Sequence, residues 1–301
     1  MTRQALAAVA MVMSAIALDA TPQLTSHATT VAAVQVPVSV RDGARPVTGL
    51  AATDFVLTDN EVAQQVEAVT IASGPLDVTL IVDTSGGTTG IADKVVRDVQ
   101  QIAGLLRRDD AFRVIRIDTA VEEVRPMTAV TTPVVIGAVT RQNGASSVHD
   151  ALIAALVRPV ALDRPHLVVA ITDGRDTMSA TTADRVRDVA LRSDALLQII
   201  MVRPPAGVRG ISFMRPRYSD ENILLLTEAA ETTGGELRGR GLFGDADPVA
   251  AFKRVVDDVR QSYLLRYSPR EVDSGGWHEL AVTVPKLPNA TVRARKGYSG
   301  G

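Results

Sequence analysis

The sequence predicts an α/β protein: a doubly wound, mostly parallel sheet inserted in a small all-β module formed by N- and C-terminal strands. Three observations support this. Between about residues 75 and 261, near-continuous apolar runs such as "LDVTLIVD" and "HLVVAITD" indicate strands covered on both faces. Amphipathic segments separate these runs, as in a βαβ alternation. Short β segments precede and follow this block, so the economical arrangement joins them in one module.

The first twenty residues are predicted to be an export signal. Arg3 precedes the apolar run Ala5–Leu18, which contains a small-x-small pattern at Ala15–Ala17. As a helix this run would be about 21 Å long, shorter than the roughly 30 Å hydrocarbon core of a bilayer. The alternative is a buried N-terminal helix. Residues 21–30 follow as a linker, and the mature protein is expected to be periplasmic or secreted.

Residues 31–74 are predicted to form the first part of the β module. "VQVPVSV" (Val34–Val40) alternates with valines on one face, which is typical of a half-buried strand. Pro37 suggests an edge position, because proline cannot donate to a neighbouring strand. Two more short strands are expected around the turn at Asp59 and Asn60.

Residues 75–261 carry the α/β alternation, and residues 262–301 return to strands. Apolar residues repeat on one helical face in "IADKVVRDVQQIAGLL". Asp247 and Pro248 begin another helix as N-cap and first helical residue. The segments "YLLRYSP", "HELAVTVP" and "TVRARKGY" then supply the second part of the β module.

Composition excludes several classes of function. Lys+Arg 32 and Asp+Glu 34 nearly balance, and aromatic residues are only 3%, so neither a nucleic-acid interface nor an anionic membrane surface is indicated. Apolar segments after the signal are interrupted by charges, so no membrane span is expected. Because the chain has no cysteine, disulfides, zinc–thiolate sites and a lipoprotein anchor are excluded. The sequence does not predict an oligomeric state.

Four polar residues are predicted to meet at the carboxyl edge of the sheet, where ligands bind in open α/β folds. Asp83 and Ser85 end the first strand of the block, Ser146 precedes a helix that begins near Val148, and Asp173 ends another strand. Each has a structural alternative as a helix cap or a turn residue. Together they offer two carboxylates and two hydroxyls, which suit Mg²⁺, a hard cation that prefers oxygen ligands.

At these residues the sequence resembles the von Willebrand factor A domains. "DTSGG" is similar to the DxSxS motif of that family, with Ser146 in "GASSVHDAL" at its Thr position and Asp173 at its second Asp. The phrases "VPVSVRDGARPVTGLAATDF", "ITDGRDTMS", "ETTGGEL" and "SYLLRYSP…ARKGYSG" resemble a bacterial secreted, acidobacterial-type group of these proteins, over about Val34 to Gly297. The resemblance implies a Rossmann-like domain with a metal-ion-dependent adhesion site, at which Mg²⁺ bridges to an acidic residue of a protein partner.

Gly87 departs from the motif, because it stands where the family has its second Ser. A glycine provides no hydroxyl, so one oxygen ligand is missing and the Mg²⁺ site is expected to be weak or lost. Thr88 has a hydroxyl, but a shift of one residue aims it elsewhere. Water could complete the coordination.

A protein-binding module, for adhesion or assembly, is therefore the predicted function, and its partner is not identified by the sequence. The alternative is a structural or scaffold protein with a vestigial metal site. A hydrolase is disfavoured: His149 and Asp150 are adjacent on a helix and do not face each other, and there is no GxSxG elbow, P-loop or GxGxxG. His149 is expected to be a partly exposed helix residue. The arginine-containing segment Arg203–Asn222 is interpreted as a solvated loop, with an acidic surface as its alternative ligand.

Overall fold

The computed structural model describes residues 33–71, 74–85, 91–132, 134, 146–159, 164–202, 220–239 and 247–300. The predicted export signal (1–20), the linker (21–30), Gly87 and most of the segment Arg203–Asn222 lie outside these residues. From Val31 to Gly301 the chain forms one compact unit.

A six-stranded sheet forms the centre of the α/β domain, in the order β11-β10-β9-β6-β7-β8. Neighbouring strands run parallel except β8, which pairs antiparallel with β7 at one edge. Three of the parallel strands, β6, β9 and β10, are almost wholly buried, as their continuous apolar runs predict. The strands are β6 (Asp77–Asp83), β7 (Ala111–Ile117), β8 (Val121–Ala129), β9 (His166–Thr172), β10 (Leu196–Met201) and β11 (Glu236–Arg238).

Helices cover both faces of this sheet. One apolar cluster joins the sheet to α1 and α5 through Ile102 and Phe252, and a second joins the other face to α2, α3 and α4. Asp247 caps the last helix as predicted, its carboxylate accepting from two backbone amides. In the part of the chain described, no helix is long and apolar enough to cross a membrane. The helices are α1 (Ile91–Ala103), α2 (Val148–Leu156), α3 (Ala183–Arg192), α4 (Asp220–Thr232) and α5 (Pro248–Arg260).

Strands from both ends of the chain form two antiparallel sheets outside the α/β domain, as the predicted fold class requires. One has the order β14-β1-β12-β5 with β2 paired to β1, and the other has the order β15-β13-β3-β4. Residues of both sheets share one apolar cluster, which includes Val36, Leu57 and Leu280. The strands are β1 (Val34–Asp42), β2 (Arg45–Pro46), β3 (Val56–Asp59), β4 (Val62–Gln64), β5 (Ala68–Ile71), β12 (Tyr263–Tyr267), β13 (Gly276–Thr283), β14 (Thr291–Ala294) and β15 (Gly297–Gly300).

Pro37 lies at an edge position, as predicted, although strand β1 as a whole is not an edge strand. Strand β1 is internal, with β12 on one side and β14 on the other. Pro37 lies opposite Leu264 of β12, but β14 pairs only with Val38–Arg41. The proline therefore lies beyond the end of β14, so its lack of an N–H does not remove a hydrogen bond to that strand.

A buried polar group, the Asp59 cluster (Asp59, Tyr267, His278 and Tyr298), joins the two sheets of the β module. The Asp59 carboxylate accepts the hydroxyls of Tyr267 at 2.8 Å and Tyr298 at 3.0 Å, and lies 2.8 Å from Nδ1 of His278. Burial, followed by the hydrogen bond to Asp59, raises the pKa of Tyr267, so its hydroxyl stays protonated. The N-terminal strand β3 and the C-terminal strands are thus linked by polar as well as apolar contacts.

Candidate metal-binding site

The structure brings the four predicted residues together at the carboxyl edge of the central sheet. Strands β6 and β9 are adjacent and parallel, with Val82 opposite Ile171, so the residues that end them lie side by side. All four side chains are buried, with exposed fractions of 4% or less: Asp83, Ser85, Ser146 and Asp173.

The carboxylate of Asp83 is the centre of the group. Its Oδ1 accepts the backbone amide of Ser85 at 3.0 Å. Its Oδ2 accepts the hydroxyl of Thr172 at 2.6 Å and that of Ser146 at 3.4 Å. The bond from the Ser85 amide is a turn contact, and it is present together with the hydroxyl bonds to Asp83. The predicted turn and the predicted metal site are therefore compatible.

Asp173 lies beside Asp83 but is less completely satisfied. Its Oδ1 accepts the backbone amide of Arg175 at 3.0 Å. Its Oδ2 is buried and has no hydrogen-bond partner in the described part of the chain; the closest cation there is Nε of Arg175, at 3.6 Å. A buried carboxylate oxygen in this condition is costly unless a cation neutralises it.

Both carboxyl groups bind protons more tightly than usual. Burial, and after it the negative charge of Asp83, raises the pKa of Asp173 to about 6. Burial also raises the pKa of Asp83, although the hydrogen bonds from Thr172 and Ser85 oppose the effect. Two ionised carboxylates in one dry site repel each other, and a divalent cation between them would relieve that repulsion.

Ser146 does not cap helix α2, so that alternative is wrong. The N-cap residue is Ser147, whose side chain makes no capping bond. The backbone of Ser146 is held instead by the loop after β9: its amide donates to Oγ1 of Thr177 at 2.8 Å, and its carbonyl accepts the amides of Thr177 at 2.9 Å and Met178 at 3.1 Å. These bonds leave the hydroxyl directed at Asp83.

Three further polar residues around the site were not predicted from the sequence. Thr172 binds Asp83 directly, Asp176 accepts the backbone amide of His149 at 2.9 Å, and Asn222 of α4 contacts both His149 and Gly174. The hydroxyl immediately before Asp173 was a usable signal, whereas nothing in the sequence near Asn222 indicates its role. The expectation that His149 is partly exposed is wrong, since only 7% of it is exposed.

The set of available metal ligands fits a hard cation to which the protein contributes few charged groups. It consists of oxygen atoms from two carboxylates and neighbouring hydroxyls, the ligand type that Mg²⁺ prefers. Among the described residues there is no group of three or more His, Cys, Asp or Glu side chains placed to hold a metal ion. Any ion here would therefore depend on Asp83, Asp173, hydroxyls and water. Gly87 and Thr88, on which the strength of the site was predicted to depend, lie outside the described residues.

No protein-family model and no curated protein matches the sequence. Solved structures do resemble it, at low identity. The von Willebrand factor type A protein of Catenulispora acidiphila is 12% identical with a TM-score of 0.43, over 89% of this chain and 63% of that one. The ArnB paralog VWA2 of Sulfolobus acidocaldarius is 11% identical with a TM-score of 0.42, over 87% and 75%. The manganese-loaded TRAP protein of Plasmodium vivax is 15% identical with a TM-score of 0.40, over 82% and 100%.

Proposed function

We propose that this protein is a von Willebrand factor A-type protein-binding module, exported from the cytoplasm and used in adhesion or assembly. Asp83, Ser85, Ser146 and Asp173 hold Mg²⁺ weakly, and the ion bridges to an acidic side chain of a protein partner. The observation that supports this most directly is Oδ2 of Asp173, buried without a hydrogen-bond partner among the described residues and next to a second buried carboxylate.

Binding rather than catalysis is proposed because both ring nitrogens of His149, the residue that first suggests a hydrolase, are engaged in hydrogen bonds within the protein. Nε2 lies 2.9 Å from Oδ1 of Asn222, and Nδ1 lies 3.3 Å from the carbonyl of Thr181. The neighbouring Asp150 accepts the amide and hydroxyl of Thr181. Both side chains therefore tie α2 to the loop before α3.

The test is calorimetric titration of the folded protein with Mg²⁺ and Mn²⁺, which take the same oxygen ligands. Wild type is compared with Asp83→Asn, which keeps the size of the side chain, and with Gly87→Ser, which restores the missing hydroxyl. Asp184→Asn, at an exposed position on α3, is the matched control. We expect weak binding in wild type and the control, none in Asp83→Asn, and several-fold tighter binding in Gly87→Ser, equal to about 1 kcal/mol for one added oxygen.

The scaffold alternative makes the opposite prediction. If wild type and Gly87→Ser are as inert as Asp83→Asn while all remain folded, the metal site is vestigial and partner contacts lie elsewhere. Co-purification from the native envelope with and without chelator then distinguishes a metal-bridged partner from a metal-independent one. Export is tested separately: N-terminal sequencing of the native protein should begin near Leu18 or Thr21, and an intact Met1 would exclude cleavage.

A further inference from the structure

A chain of hydrogen bonds connects helices α4 and α2 with the carboxylate of Asp83. Nε2 of His149 lies 2.9 Å from Oδ1 of Asn222, and Nδ2 of Asn222 donates to the carbonyl of Gly174 at 2.9 Å. The amide of Gly174 donates to Oγ1 of Thr172 at 3.0 Å. The hydroxyl of Thr172 donates in turn to Oδ2 of Asp83 at 2.6 Å.

The direction of every bond in this chain is determined by chemistry. A backbone carbonyl only accepts, so the amide nitrogen of Asn222 must face Gly174 and its oxygen must face His149. Nε2 of His149 therefore carries a hydrogen. Because the hydroxyl oxygen of Thr172 accepts from Gly174, its hydrogen is free to point at the carboxylate of Asp83. The carbonyl of Gly174 shares its peptide group with the amide of Arg175, which donates to Oδ1 of Asp173 at 3.0 Å, so the bond from Asn222 polarises and strengthens that bond. The amide of Gly174 belongs to the preceding peptide group and is joined to the carbonyl only through the Cα atom of the residue.

Gly174, in the middle of this series of hydrogen bonds, is the residue whose backbone most needs a stabilising contact from outside the loop. Gly174 has a φ of +78°, in the left-handed region, and it directly follows Asp173. A Cβ atom at this position would lie 2.7 Å from Cε of Met201, the end of a flexible side chain, so the positive φ is the main obstacle to a larger residue. A glycine has more backbone freedom than other residues, and a bond from outside the loop restricts that freedom.

We propose that Asn222 and His149 are positioning residues of the candidate metal site. His149 orients the amide of Asn222, which fixes the peptide group between Gly174 and Arg175 and, through the amide of Arg175, the carboxylate of Asp173. The backbone of Gly174 in turn places its own amide against Thr172, which binds Asp83. Neither residue touches the metal, and this role depends on the proposed metal-binding function. The hydrogen bond from Asn222 also connects the site to helix α4, although Asn222 follows Gly174 by 48 residues in the sequence. Outer residues of this kind typically change metal affinity about 10- to 100-fold when they are removed.

The first measurement is hydrogen exchange in the absence of metal, followed at the amides of Gly174 and Arg175. Losing the bond from Asn222 should speed their exchange about tenfold in Asn222→Ala. Asn222→Asp should behave similarly, since it keeps the acceptor for His149 but loses the donor to Gly174. His149→Gln should keep the wild-type exchange rates, because the glutamine amide can donate where Nε2 does. His149→Ala should exchange faster, because alanine has no such donor. Glu221→Gln, at the exposed neighbouring position of α4, is the control and should match wild type.

The second measurement is the affinity for Mn²⁺ alone in the same variants. We expect about tenfold weaker binding in Asn222→Ala, Asn222→Asp and His149→Ala, with His149→Gln and Glu221→Gln unchanged. The proposal is overturned if a folded Asn222→Ala keeps both the exchange rates and the Mn²⁺ affinity of wild type. It is also overturned if exchange is faster while the Mn²⁺ affinity is unchanged. If Asn222→Ala does not fold, Asn222→Asp decides in the same way. If wild type binds no Mn²⁺, the metal function is wrong, and the exchange series alone decides whether His149 and Asn222 hold the loop after β9.

Discussion

Replacing Asp173 by asparagine should stabilise the metal-free protein at neutral pH. The pKa of this carboxyl rises from its ordinary value of 3.8 to about 6, chiefly through burial and then through the charge of Asp83. At about 1.4 kcal/mol per pKa unit, ionised Asp173 destabilises the fold by about 3 kcal/mol above pH 6. Asparagine keeps an oxygen for the amide of Arg175 and removes the charge. A gain approaching this figure raises the melting temperature of a chain of this size by roughly 5–10 °C.

The sign of the pH dependence follows from the raised pKa. The folded state binds the proton of Asp173 more tightly than the unfolded state, so this group's contribution to stability is fully present below pH 3.8. That contribution is lost as the pH rises towards 6. The advantage of Asp173→Asn should therefore be large at pH 7.5 and small near pH 4.

The assay is thermal unfolding in chelator at both pH values, followed by circular dichroism. Asp184→Asn, on the exposed face of α3, is the matched control and should shift little at either pH. The reasoning is refuted if Asp173→Asn unfolds no later than wild type at pH 7.5, or if its advantage is the same at both pH values. Adding Mg²⁺ should then stabilise wild type and not Asp173→Asn.

Three other substitutions test neighbouring contacts. Arg175→Gln should tighten Mn²⁺ binding about three- to tenfold by calorimetry, because the guanidinium 3.6 Å from Asp173 repels a metal ion at the same oxygen. An unchanged affinity for Mn²⁺ would mean that the arginine does not oppose the ion. Gly174→Ala should lower the free energy of unfolding by about 1–3 kcal/mol in denaturant titration, since alanine is strained at a φ of +78° and the end of the Met201 side chain has to move away from the new Cβ. Asp59→Ala should cost about 3–5 kcal/mol in the same titration, because it leaves the buried polar groups of the Asp59 cluster without their shared acceptor; a loss below about 1 kcal/mol would contradict this.

The sequence predicted the parts of the fold that depend on local patterns. Continuous apolar runs identified the buried parallel strands, and the polar residues that end them placed Asp83 and Asp173 at one edge, because parallel strands end on the same side. The antiparallel edge strand β8 was not predicted, since its nine residues are mostly exposed and carry charges. Pro37 indicated an edge position but did not reveal that β1 is internal, because a strand can be internal along most of its length and still leave one residue without a neighbour on one side.

The hydrogen-bonding environment of the site could not be predicted in the same way. His149 and Asn222 are 73 residues apart, and their contact depends on how α2 and α4 pack on one face of the sheet. Ser146 illustrates the same limit. Its position before a helix suggests a cap, and only the loop from the neighbouring strand β9, which holds its backbone, shows that its hydroxyl turns to Asp83.

The inserted arrangement has a consequence for the order in which the chain acquires structure. The six strands of the central sheet lie in one continuous stretch, whereas the hydrogen bond between Tyr267 and Asp59 spans 208 residues. Because closing so long a loop is slow, we expect the α/β domain to form first and the β module to close around its two connections afterwards. A nascent or truncated chain that stops before Tyr263 therefore presents β1 without either of its principal partners, β12 and β14. Such open strand edges pair readily with other chains, which makes the C-terminal strands the natural protection of this protein against aggregation during synthesis.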